Sequence, residues 1–187
     1  MQVQVLFPAP HKTSRFSGLF LFAIMFDCSI FEIINFRVLR KDMNDFSLSL
    51  DSLSNGWATL SFADSENSIT LELSYVPNDT LSELLDGAIR LLDVRGSEIV
   101  MNLEPKEVIF ALAPSGKDEF FAKIEVYEFI GTRLRFARQL LKVFDAYPYL
   151  YDQESYNSSW RHPYPLSLVK RLRQTIAAKN QFLRKIN

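Results

Sequence analysis

Trp57-Ala58-Thr59-Leu60-Ser61-Phe62 and, after a polar break, Ile69-Thr70-Leu71-Glu72-Leu73-Ser74-Tyr75 decide the fold class. Ala58, Leu60 and Phe62 fall on one face of an extended chain, and Trp57, Thr59 and Ser61 on the other. Ile69, Leu71, Leu73 and Tyr75 alternate in the same way. A period of two is the pattern of a strand with one buried face. The intervening Ala63-Asp64-Ser65-Glu66-Asn67 is short and polar, so the two strands form a hairpin.

Working outward, Pro77 and Asn78 end the second strand, and Thr80-x-x-Glu83 has the form of a capping box. Leu81, Leu84, Leu85, Ala88 and Leu92 recur at three- and four-residue steps, which predicts a helix over 80–94 closed by a left-handed Gly96. Ile99, Met101 and Leu103 start a third strand that Glu104-Pro105 breaks, because proline donates no ladder bond. Val108, Phe110 and Leu112 make a fourth strand, nearly all apolar. Pro114-Ser115-Gly116-Lys117 is turn chemistry, and Phe120, Ala122, Ile124 and Val126 make a fifth strand.

Gly131-Thr132 opens a second helix with Leu134, Ala137, Leu140, Leu141 and Phe144 on its buried stripe and Arg133, Arg135, Arg138 and Lys142 outside. After a long loop, Pro165 begins a last helix that buries Leu168, Val169, Leu172 and Ile176. The predicted order is strand-strand-helix-strand-strand-strand-helix-helix: an α+β fold with one five-stranded antiparallel sheet covered by helices.

Composition bounds the function. Of 187 residues, 48% are apolar and 23% charged, which excludes a disordered or fibrous chain. A single cysteine, Cys28, excludes an internal disulfide or a cysteine zinc cage, and His11 and His162 are too few for a histidine-rich metal site. No metal and no cofactor is therefore expected. The net charge of −1 hides a segregation: residues 44–127 hold five basic and fifteen acidic side chains, and residues 128–187 hold eleven basic and four acidic ones. Such asymmetry points to a charged partner, or to the mutual attraction of the two halves of one domain.

Residues 1–43 differ from the rest and read as an N-terminal extension to a single domain over 44–187. Phe16 to Phe26 is an eleven-residue apolar run after Lys12 and Arg15. It is too short to span a bilayer, and extending it brings in Asp27, which opposes insertion by roughly 2.5–3.5 kcal/mol. A membrane-associated protein held by Phe16–Phe26 is thus the weaker alternative. Met25 and Met43 offer internal starts that would leave the extension untranslated.

The candidate binding residues fall in two groups. Tyr149, Tyr151, Trp160, Arg161, His162 and Tyr164 lie in an aromatic, proline-punctuated connection. They can stack on a planar ligand, or anchor the connection to the body. Arg135, Arg138 and Lys142 line the outer face of the second helix. That face can follow a phosphate backbone, yet the sequence pI of about 6.1 and the lack of a nucleic-acid motif speak against nucleic acid. No serine elbow or phosphate loop is present, so no catalytic residue is assigned. His162 working with Glu104 or Glu107 is the enzymatic alternative.

Four segments resemble a family of small bacterial proteins without an established activity. They are the strand at Trp57, Leu73-Ser74-Tyr75-Val76-Pro77-Asn78-Asp79 before a leucine-rich helix, Leu103-Glu104-Pro105, and Trp160-Arg161-His162-Pro163-Tyr164-Pro165 before the last helix. The resemblance covers residues 44–175 and implies an organisation but no site residues. Together these observations predict a cytoplasmic, non-enzymatic protein that binds a protein partner through exposed arginine, tyrosine and tryptophan.

Overall fold

The computed structural model describes residues 45–146 and 152–186. The predicted extension with Phe16–Phe26, and the candidates Tyr149 and Tyr151, lie outside the described residues. The elements are β1 (Ser47–Ser54), β2 (Trp57–Ala63), β3 (Ser68–Ser74), α1 (Thr80–Leu92), β4 (Ser97–Asn102), β5 (Glu107–Ser115), β6 (Glu119–Ile124), β7 (Tyr127–Thr132), α2 (Arg133–Ala146), α3 (Gln153–Trp160) and α4 (Leu166–Ile186).

The α+β class stands, but the single five-stranded sheet does not. The strands form two antiparallel sheets, β1-β2-β3 and β4-β5-β6-β7. β3 and β4, consecutive strands across α1, are edges of different sheets, and side chains bridge between them. The Val100 carbonyl on β4 accepts from Asn78 Nδ2 (3.1 Å) and Thr80 Oγ1 (3.3 Å). Ser74 donates to Glu104, and Asn102 donates to Asn78. These bonds link the β3 end, α1 and β4 through side chains, and β3 and β4 form no backbone ladder.

Two strands and a helix went unread in the sequence. β1 precedes β2 through the two-residue turn Asn55-Gly56, both with positive φ (54° and 82°), the Asn-Gly form that suits a tight hairpin. β7 follows β6 through Glu125-Val126, a turn without glycine. Gly131 ends β7 rather than opening a helix: a Cβ there would lie 2.8 Å from the Phe120 ring and 3.1 Å from Phe46 Cβ. The connection before α4 contains α3, capped by Asp152, which accepts from the Ser155 amide at 3.0 Å.

Local corrections follow the same logic. Pro114 and Ser115 belong to β5, and the turn is 116–118. The cap of α1 is Asp79, which accepts from the Ser82 amide at 3.2 Å, one position before the predicted box. Glu83 instead accepts from Asn78 Nδ2 at 2.9 Å. Val94 takes the left-handed conformation (φ 61°) at the end of α1. Gly96 is set against the Leu112 carbonyl, 3.0 Å from where its Cβ would be.

One core joins both sheets. Phe62 of β2 meets Phe110 of β5 (5.1 Å) and Phe129 of β7 (6.4 Å), while Phe46 stands edge-on to Phe120 at 5.2 Å. Such pairs add roughly 0.5–1.5 kcal/mol beyond their buried area. α1 packs on β4 and β5, α2 on β1 and β7, and α4 on α1 and α2. α1, covered on more than one side, buries Leu81, Leu84, Leu85, Ala88, Ile89, Leu91 and Leu92. No described helix is long and apolar enough to cross a membrane.

Candidate functional site

The described candidate residues separate into two places, the turn from α3 into α4 and the outer face of α2. Trp160 is fully buried, and its indole N–H donates to Asp79 Oδ1 at 2.7 Å, so the residue that caps α1 also fastens the end of α3. Arg161 adopts a left-handed conformation (φ 65°) and sends its amide back to the Asn157 carbonyl at 2.8 Å. Its guanidinium is exposed and stands 5.5 Å from the centre of the Tyr75 ring. A carbonyl can only accept, so half-buried His162 donates from Nε2 to Tyr75 O at 2.7 Å. The Gly56 amide donates to Ser159 O at 2.6 Å, tying the β1–β2 turn to the same corner.

Tyr164 is buried edge-on against Tyr156 at 5.2 Å and near Phe144 at 6.2 Å. Its hydroxyl finds no hydrogen-bond partner among the described residues. Burial, and after it the Asp145 carboxylate, pushes the phenol above the usual tyrosine value; Arg173 offsets this in part. Trp160 and Tyr164, within the described part of the connection, are therefore packed on the body. No carboxylate among the described residues pairs with His162. Glu104 accepts from Ser74, and Glu107 is exposed at the start of β5.

The second place is the outer face of α2. Arg135, Arg138 and Lys142 line an open cleft of about 320 Å³ together with Asp118, Thr132, Leu134 and Gln139. Thr132 accepts from the Arg135 amide at 3.3 Å, and Arg135 Nε donates to the Phe46 carbonyl at 2.7 Å, so one arginine is braced while its neighbours remain exposed. Arg133, predicted on this face, is instead 5% exposed. It donates to the Lys117 carbonyl and lies 3.9 Å from Asp118. Helical geometry explains the difference: Arg135, Arg138 and Lys142 are three and four residues apart, and Arg133 falls off that row.

Few described ion pairs cross between the acidic and the basic part of the chain. Among the described residues, Arg133–Asp118 is the one ion pair joining a base of 128–187 to an acid of 44–127. No described carboxylate pairs with Arg135, Arg138 or Lys142. The outer face of β1–β3 carries Asp51, Glu72 and a hydroxyl ladder in which Ser52 meets Thr59 (2.7 Å) and Ser61 meets Thr70 (2.9 Å). Among the described residues no group of three or more histidine, cysteine or acidic side chains is placed to hold a metal ion. The chain matches no family model, no curated protein and no solved structure.

Proposed function

We propose that the chain is a bacterial, cytoplasmic, non-enzymatic module that docks a protein partner on the cationic face of α2. The observation that supports it is the cleft lined by Arg135, Arg138 and Lys142, in which the one carboxylate, Asp118, lies 3.9 Å from Arg133 and forms no described ion pair with these three. Exposed cations without a carboxylate partner among the described residues favour an acidic partner by steering it electrostatically and, for the arginines, by forked bonds to its carboxylates. Trp160 and Tyr164 are turned inward and are not part of such a surface. Kinship of residues 44–175 with the small bacterial proteins is part of the same proposal and rests on the four short motifs.

The test is capture from the native cell with the full chain and with an Arg138→Glu/Lys142→Glu variant, each at low and high salt. A protein held by the first, released by salt and at least about tenfold depleted on the variant supports the reading. Recovery of the same proteins by both chains, or of nucleic acid in place of protein, overturns it.

A further inference from the structure

α4 outruns the body on which it packs. Val169, Leu172 and Ile176 are buried at three- and four-residue steps, and from Ala177 to Arg184 no side chain is fully buried. Near its end the helix is tied to α2, where Arg138 Nη2 donates to Asn180 Oδ1 at 2.6 Å. A second open concavity of about 450 Å³ lies here, lined by Arg138, Asn180, Leu183 and Arg184. Arg138 lines both concavities, so the two adjoin at that side chain as one strip that includes Lys142 on α2 and Leu183 and Arg184 on α4. Leu183 sits in that strip with 40% of its surface exposed, flanked by cations. Phe182 is exposed too, but it is not part of the lining and stands about 100° round the helix.

We infer that this strip takes an acidic amphipathic segment of the protein partner, its carboxylates against Lys142, Arg138 and Arg184 and one apolar side chain against Leu183. The inference rests on the protein-binding reading and adds the chemistry of what is bound. Charge complementarity is the argument. Arg138, Lys142 and Arg184 have no described carboxylate partner, and helix-in-groove recognition pairs an apolar anchor with flanking charges of opposite sign. The remainder of this chain is a poor occupant: residues 1–43 carry five basic and three acidic side chains, the same sign as the strip. A phosphate backbone would satisfy the cations and leave Leu183 unmatched.

Fluorescence anisotropy of the full chain tests this with three probes. They are a peptide bearing Glu with Leu at three- and four-residue steps, the same peptide with every Leu replaced by Ser, and a single-stranded oligonucleotide of equal charge. The Leu peptide should bind about tenfold more tightly than the Ser peptide. Leu183→Ser should abolish that preference, and Phe182→Ser should leave it intact. Equal binding of both peptides, or a preference that survives Leu183→Ser, overturns the inference. The protein-binding reading then still stands if Arg138→Glu/Lys142→Glu loses the captured partner. Tighter binding of the oligonucleotide than of either peptide overturns both. Self-association that Leu183→Ser abolishes would put a second copy in the strip and likewise overturn the inference.

Discussion

The turn from α3 into α4 and the outer face of α2 hold the kinds of side chain that anchor interfaces, and they use them in opposite directions. In the turn, the Trp160 indole is committed to Asp79, His162 to the Tyr75 carbonyl and the Arg161 amide to Asn157. On α2, Arg138 and Lys142 project beside a cleft with no described carboxylate partner; Arg135 is braced by the Phe46 carbonyl, and Arg138 reaches only the neutral side-chain amide of Asn180 on α4. The comparison teaches that residue type alone does not make a binding surface. A polar group already bonded within the fold gains little by meeting a partner, because that bond must first be broken.

The comparison breaks first at Trp160. Trp160→Ala should destabilise the chain by about 3–5 kcal/mol, since it empties a fully buried site and removes a bond to the α1 cap. A urea titration that shows less than about 1 kcal/mol of loss would mean that the turn is not closed. Asp79→Ala comes next, at about 2 kcal/mol, from the lost cap and the stranded indole N–H. The same titration checks it, and the Trp160 fluorescence of the variant should report a changed environment.

The other side of the contrast predicts near-silence. Arg138→Glu/Lys142→Glu should change stability by no more than about 1 kcal/mol while removing the partner, because both side chains are exposed and the described bond lost is that of Arg138 to Asn180. A large loss of stability in that variant would place these cations among the structural groups of the turn. The smallest effect concerns Tyr164. Above pH 10.0, its ordinary value, the unfolded chain releases the phenol proton while burial and Asp145 keep it on in the fold. The unfolded state then binds fewer protons, so stability falls as pH rises. Tyr164→Phe should show a shallower alkaline decline and no loss at neutral pH, read from unfolding curves taken across that range.

How much of this was legible in the sequence depends on periodicity. β2 through β6 and the three longer helices were found because one face of each meets a common core. β1 was missed because its alternation breaks: Phe46, Leu48 and Leu50 keep step, then a register shift between Leu50 and Ser52 moves the next inward residue to Leu53. Asn55-Gly56 was the signal that could have found it. α3 was missed because only Tyr156 and Trp160 turn inward, too few for a stripe. β7 was hidden by a turn in which Glu125 takes a positive φ without being glycine.

For the candidate site, the row Arg135, Arg138 and Lys142 could be read from helical spacing. Its companions Asn180, Leu183 and Arg184 lie some forty residues away in the chain and meet it only because α4 packs on α2. By itself the sequence determined the α+β class, most of the elements and the basic character of the C-terminal helices, because local alternation and charge need no knowledge of neighbours. Tertiary structure alone decided that there are two sheets, that Trp160 is a fastening rather than a surface, and which cations share a cleft. Those outcomes depend on which distant group reaches a donor or acceptor first, and no window of sequence contains both partners.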